Sequence, residues 1–280
     1  MCLSIFLKSN TSVIKAEDNG SDDIFMTGSD NENVNERRRR MGDSQRVQSR
    51  FMEFPILTGI ILAGGSSRRM GCDKAMLPVG GVSSIKRAQR CLEEVCEEVL
   101  ISVNTSNPYD FTGLRTVEDM YTGKGPMAGL HACLRASRTE WNVVAACDMP
   151  FVSTAIIHGL LREVSSSGGK VSKSGSTGEA KSDETPLNAV IPVMDGQIQP
   201  LLALYHRDVL ASLENRLKRN ELRMKEWLGD LNILYISVEE LSRLTGRSAD
   251  RDLFNMNRPE DYEIACRWAE QLEDIEYDHK

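Results

Sequence analysis

The stretch TGIILAGGSSRRMGCDK, Thr58–Lys74, sets the fold and frames the chemistry. Its first half is a short β-branched apolar run that ends in two glycines, the pattern of a buried parallel strand running into a loop. Gly64 and Gly65 carry no Cβ, so the main chain there can come close to a ligand and present N–H groups to an anion. Ser66 and Ser67 add short donors. Arg68 and Arg69 offer guanidinium forks matched to phosphate oxygens, and Lys74 offers a compact charge. The loop matches neither GxxxxGK[ST] nor GxGxxG.

Strands and helices alternate outward from this loop. Ser84 caps a predicted helix whose apolar positions Ile85, Ala88, Leu92, Val95 and Val99 keep helical spacing. Val99–Asn104, Leu114–Asp119 and Trp141–Asp148 read as the next strands. Between the last two, GPMAGLHACLRAS reads as a helix, and Ser153 starts another carrying Ile156, Ile157, Leu160, Leu161 and Val164. Ser165–Thr185 is low in complexity and reads as a flexible insert. Leu187–Tyr205 reads as two strands around an Asp-Gly turn. A helix is expected from about Arg207 to Trp227, then a strand over Leu231–Val238, an extended piece over Leu253–Asn257 and a final helix opened by Pro259. This alternation predicts an α/β fold over residues 53–275, a single Rossmann-like domain with a mostly parallel central sheet and helices on both faces. Ligands of such sheets sit outside the carboxyl ends of the strands.

Composition narrows the options. The 280 residues hold 34 Lys+Arg against 41 Asp+Glu, a formal net charge of −7, which disfavours a general nucleic-acid binder. No apolar run approaches membrane-spanning length. The seven cysteines show no zinc spacing and are too sparse for a disulfide scaffold, so a reducing cytoplasm is expected. Residues 1–52 are rich in Asp, Asn, Ser and Arg, and are expected to be disordered. The opening MCLSIFLK lacks the parts of a signal peptide. The Arg37–Arg40 run reads as solvated, and Met41 and Met52 stand as alternative starts.

The pattern LAGGxSxRMGxDK closely resembles the nucleotide-binding signature of the molybdenum cofactor guanylyltransferases, the MobA-like nucleotidyltransferases. ISVN, TVED, GPMAGL, ACDMPFV, QPLLALY and FNMNRPED follow in the matching order, so the resemblance runs from about Phe54 to Gln271. It implies transfer of GMP from GTP to Mo-molybdopterin with release of pyrophosphate. It further implies nucleotide contacts from Leu62, Ala63, Gly64, Gly65, Lys74, Asn104, Asp119 and Asp148, catalytic positions at Arg69, Lys74 and Asp148, and Mg²⁺ on Asp148. The partners implied are GTP, Mo-molybdopterin and molybdoenzymes or other cofactor-biosynthesis proteins, with neither nucleic acid nor membrane. The same chemistry with CTP or a sugar or alditol phosphate, and a non-catalytic cofactor-delivery protein, stand as alternatives.

The strand-end polar residues also have plain readings. Asp148 can cap the turn before Pro150, and Asn104 and Asp119 can be turn residues. Glu118 alternates to the opposite sheet face and is expected to be structural. The Gly-Pro turn of GPMAGL would aim a helix N-terminus at the cleft. Asn255 and Asn257 resemble the family's C-terminal NxN, and Asn257 also suits an N-cap. His131, His158 and His206 read as structural or exposed.

Overall fold

The structure is a computed structural model and describes residues 54–63, 73–104, 109–172 and 184–277. Gly64, Gly65 and Arg69 therefore lie outside the described residues, as does the N-terminal segment. Strand β1 (Leu57–Leu62) is buried along its whole length. After a short 3-10 turn at Lys74–Met76 come the hairpin strands β2 (Pro78–Val79) and β3 (Val82–Ser83) and helix α1 (Ser84–Glu93). Next are β4 (Glu98–Val103), β5 (Arg115–Glu118), α2 (Pro126–Ala136), β6 (Trp141–Ala146) and α3 (Thr154–Ser166). Then follow β7 (Lys170–Ser172), β8 (Glu184–Pro186), β9 (Ala189–Met194), β10 (Gln197–Ile198) and β11 (Leu202–His206). The chain continues through α4 (Leu210–Lys218), α5 (Met224–Leu228), β12 (Ile233–Ser237), α6 (Val238–Thr245) and α7 (Pro259–Tyr277).

The central sheet runs β10-β9-β11-β6-β1-β4-β5, with β12 on β9. β6, β1, β4 and β5 are mutually parallel, and antiparallel pairing enters at β11. The period-2 alternation of strand side chains splits the core in two. Leu57, Ile61, Val143 and Ala145 pack on the face covered by α1, α3 and α6. Ile60, Leu62, Val144 and Tyr205 pack on the face covered by α2, α4 and α5. A strand buried on both faces therefore has no polar alternation, which is why β1 and β6 read as continuous apolar runs. A third cluster of Val79, Phe151, Met256, Ala265 and Ala269 seats α7 beside the β2–β3 hairpin.

Several boundaries differ from expectation. Leu187–Tyr205 holds three strands: the Asp195-Gly196 turn, both residues at positive φ, joins β9 to the short β10, and β11 follows. The single helix expected over Arg207–Trp227 is broken, because Asn220 adopts φ 61° and stops α4 before α5 begins. Within the Ser165–Thr185 insert, α3 runs on to Ser166, and Lys170–Ser172 pairs antiparallel with Glu184–Pro186. The expected loop thus begins and ends in a β-ladder. The predicted strand over Trp141–Asp148 stops at Ala146, where Met149 N–H donates to the Ala146 carbonyl and turns the chain. Leu253–Asn257 forms no strand.

His131 sits in α2 with 0% exposure, edge-on to Tyr121 at 5.2 Å, and both ring nitrogens lack a partner among the described residues. Burial pushes its pKa down, with Arg135 and Lys218 acting the same way and Glu214 opposing. A histidine held neutral in this way binds fewer protons folded than unfolded. Stability is therefore lost as pH falls through about 6.5, by up to about 1.4 kcal/mol per pH unit. Asp119, Asp148 and Asp252 are raised, chiefly by burial, and act in the opposite sense at lower pH. His131→Phe should flatten the decline in Tm between about pH 7.5 and 5.5; an unchanged decline would overturn this assignment.

Candidate functional site

The parallel register lines up four strand ends. Leu62 lies opposite both Ser102 and Ala146, and Val103 lies opposite Glu118. Ala63, Asn104 and Asp119 follow directly on β1, β4 and β5, and Asp148 stands two residues past the end of β6, so one rim carries them all. They do not form one cluster. Asp148 and Asp119 are three strand spacings apart, about 14 Å, so they serve opposite ends of whatever lies along the rim.

At the β6 end the C-terminal segment closes the geometry. The Met256 N–H donates to the Asp148 carbonyl at 2.8 Å, and the Met256 carbonyl accepts from Lys74 Nζ at 2.7 Å. Lys74 Nζ also lies 3.9 Å from Asp148 Oδ2, and the two side chains are about one-fifth exposed at 17% and 20%. The lysine thus donates to a carbonyl and holds this carboxylate at the outer limit of an ion pair. Burial pushes the Asp148 carboxyl up from its usual range, and Lys74 pulls it back. Asp148 Oδ1 and Asn255 Oδ1 are buried acceptors without a hydrogen-bond partner among the described residues. A hard, unpartnered carboxylate oxygen at a strand end suits a small divalent cation that takes its remaining ligands from water or phosphate. Among the described residues no group of three or more His, Cys, Asp or Glu that could hold a metal ion is present.

The tether at the start of the rim was not legible in the sequence. Tyr109 is 4% exposed, and its hydroxyl lies 2.8 Å from Asp73 Oδ2 and 3.2 Å from the Ala63 carbonyl. One phenol thus joins the residues on either side of segment 64–72. Asp73 also caps the following 3-10 turn by accepting from Ala75 N–H. The adjacent pair Asp73–Lys74 therefore divides its work, the first residue meeting the Tyr109 phenol and capping the turn, the second reaching the β6 end. Residues 105–108, which lead into Tyr109, lie outside the described residues.

At the other end, Asp119 is 7% exposed and its Oδ1 accepts from the Ser102 hydroxyl at 2.9 Å. Its carboxyl is pushed up by burial, against the lowering effect of Ser102. Asn104 is exposed, and so is Glu118 on the edge strand. Helix α2 begins after Gly125, at φ 67°, with Pro126 in its first turn. A Cβ on Gly129 would fall 2.2 Å from Ser102 Oγ and 3.2 Å from Leu62 Cδ2. That contact brings the start of α2 over the carboxyl ends of β1 and β4, and a larger residue would dislodge the serine that holds Asp119.

A family model described as "MobA-like NTP transferase domain" matches residues 59–233. A probable molybdenum cofactor guanylyltransferase of Pelotomaculum thermopropionicum is 32% identical over 213 residues, covering 76% of this chain and 93% of that protein. The molybdenum cofactor guanylyltransferase of Desulfosudis oleivorans is 30% identical over 215 residues, covering 75% and 94%. Among solved structures, molybdopterin-guanine dinucleotide biosynthesis protein A of Archaeoglobus fulgidus aligns with a TM-score of 0.60 at 25% identity, over 76% of this chain and 99% of that one. The 2-C-methyl-D-erythritol 4-phosphate cytidylyltransferase of Thermus thermophilus shares the fold, with a TM-score of 0.52 at 15% identity over 75% of this chain and 98% of that one.

Tyr109→Phe removes the hydroxyl that joins Ala63 to Asp73. Loss of about 1 kcal/mol of hydrogen bonding should speed tryptic cleavage after Arg68 or Arg69 about 5-fold under native conditions. Unchanged cleavage would show that the phenol does not tether the segment.

Proposed function

The chain belongs to the MobA-like NTP transferase family, and on that footing we propose that it works as a molybdenum cofactor guanylyltransferase. It transfers GMP from GTP to Mo-molybdopterin and releases pyrophosphate. The observation that carries this reading is the meeting of Lys74, Asp148 and the Met256 backbone at the β6 end of the rim, with the buried Asp148 Oδ1 left unpartnered among the described residues. A cation and a cation site, side by side at a strand end, match the needs of a triphosphate.

The chemistry is a displacement at the α-phosphorus. A terminal phosphate oxygen of the pterin forms the new P–O bond. The bond from the α-phosphorus to the α–β bridging oxygen breaks, and pyrophosphate leaves with the electron pair. The pterin phosphate is already ionised, so no side-chain nucleophile or strong base is required, and positioning and charge neutralisation dominate. Lys74 would hold phosphate oxygens, helped by Arg69 and the Gly64 and Gly65 amides. Leu62 and Ala63 would carry the backbone into that loop. Asn104 and Asp119 would face the base and ribose at the far end, a division that agrees with their separation from Asp148 along the rim. Asp148 Oδ1 and Asn255 Oδ1 would hold the divalent ion, Mg²⁺ in this proposal. When bound, that ion neutralises charge on the phosphate oxygens. Cys91, Cys96, Cys133, Cys147 and Cys266 are free thiols, which agrees with the cytoplasmic location we assign to the reaction. Among the described residues no helix is long and apolar enough to cross a membrane.

Titration of the protein with GTP, CTP, ATP and UTP in the presence of Mg²⁺, followed by pyrophosphate release with molybdopterin, tests the reading. GTP should be preferred; greater turnover with CTP would overturn the guanylyl assignment. Lys74→Ala and Asp148→Ala should each lower turnover by at least about 100-fold with little change in Tm. Near-normal turnover by Asp148→Ala would remove the metal role.

A further inference from the structure

Beneath α2 the sheet carries apolar side chains almost to the rim and then a polar pair. Leu100 and Ser102 stand two residues apart on one face of β4, and Asp119 continues the alternation of Val117 just past β5. Ser102 is 2% exposed and Asp119 7%. Leu62, Leu100 and Cys133 are buried on the same face. Taking a hydroxyl and a carboxylate out of water at such a place costs stability that an apolar pair would not cost. We propose, on the reading that Asp119 faces the nucleoside, that Ser102 is a positioning residue for nucleotide recognition: it engages Asp119 Oδ1 and so presents Oδ2 to the donor groups of the base or ribose.

Main chain and side chain are fixed separately. The Asp119 N–H donates to the Val103 carbonyl at 3.0 Å, which carries the β4–β5 ladder one residue further. The Ser102 hydroxyl donates to Asp119 Oδ1 at 2.9 Å and sets the rotamer. Oδ2 has no hydrogen bond among the described residues. An ionised carboxylate only accepts, and each of its oxygens can take a donor. The ring N–H and amino group of guanine and the hydroxyls of ribose are donors. A carboxylate held by one oxygen before the ligand arrives loses less entropy on binding.

Gly129 makes room for this hydroxyl. It lies inside α2 and not at positive φ, so its backbone does not call for glycine. Alanine there would favour the helix by about 1 kcal/mol. The use of the glycine is clearance: a Cβ would fall 2.2 Å from Ser102 Oγ and 3.0 Å from Ser102 Cβ. Such a contact forces the hydroxyl off Asp119. Residue 129 is therefore a second handle on the same hydrogen bond, and a change there leaves Ser102 and Asp119 themselves unaltered.

The hydroxyl also bears on the charge of the carboxylate. Burial raises the Asp119 carboxyl above its usual range, Ser102 lowers it, and Glu118 on the same strand raises it further. From α2 the Cys133 thiol faces Asp119; burial and then Asp119 push that thiol up, with Arg115 opposing, so it is uncharged at neutral pH. Asp119 accepts through both oxygens only when ionised. Nucleotide affinity therefore falls as falling pH protonates it. Without Ser102 the lowering contribution is gone, and the fall begins at a higher pH.

The test is calorimetric titration of the full chain with the nucleotide it turns over fastest and, separately, with inorganic pyrophosphate. Both are run with Mg²⁺ and without pterin, from about pH 8 to about pH 5. Ser102→Ala should weaken nucleotide binding about 10-fold near neutral pH, move its decline to higher pH and leave pyrophosphate affinity at the wild-type level. In turnover the loss should fall on KM rather than kcat. Gly129→Ala should reproduce these changes, and the Ser102→Ala, Gly129→Ala double variant should lose no more than Ser102→Ala alone, because both act on one hydroxyl. Asp119→Asn, whose amide does not titrate, should lose affinity and flatten the pH profile. Loss in Asp119→Asn with wild-type affinity in Ser102→Ala at every pH would overturn the proposal and leave the placement of Asp119 intact. Wild-type affinity in Asp119→Asn would overturn that placement and the proposal with it. Pyrophosphate weakened in step with the nucleotide would show general damage to the rim and overturn the proposal too. A preference for CTP over GTP leaves the comparison intact, because every arm uses the preferred nucleotide.

Discussion

The arrangement of the rim depends on the backbone of Met256. Its N–H fastens the Asp148 carbonyl and its carbonyl takes the Lys74 ammonium, so a residue from the C-terminal segment sets two groups that are 74 positions apart in sequence. The backbone suits this role because it supplies both a donor and an acceptor, with no side-chain rotamer to order. Met256 can do this because its own side chain is fully buried among Val79, Phe151 and the start of α7. The apolar cluster therefore acts on the chemistry through hydrogen bonds. A cavity in it would loosen the lysine and the carboxylate together.

The same logic recurs along the rim. Two of its carboxylates are anchored by a remote hydroxyl. Asp119 is held by Ser102, and Ser102 has room only because residue 129 is glycine. Asp73 is held by Tyr109, which also reaches Ala63. A strand end positions a residue to within the sheet register, and these cross-links then fix the side chain. The groups left unpartnered, Asp148 Oδ1 and Asn255 Oδ1, stand out against this background of satisfied neighbours.

The strands on either side of the glycine-rich loop were readable because parallel strands buried on both faces must be apolar throughout, and helices covering them must repeat at 3.6 residues. Reading failed where a single residue altered the backbone. Asn220 at positive φ breaks what periodicity presents as one helix, and the Asp195-Gly196 turn adds a strand too short to show a pattern. The Ser165–Thr185 composition masked a β-ladder because its strands are three residues each and make their contacts with one another. The importance of Tyr109 and Met256 had no local signal: one looks like an aromatic in a turn and the other like an ordinary apolar residue.

From the sequence alone came the α/β alternation, the family resemblance and the strand-end positions of Ala63, Asn104, Asp119 and Asp148, because these follow from periodicity and from residue types adjacent in the chain. Tertiary structure alone decided that Asp119 and Asp148 stand at opposite ends of the rim and that the Met256 backbone meets both Lys74 and Asp148. Strand order and side-chain direction fix such distances, and neither is written in the spacing of residues along the chain.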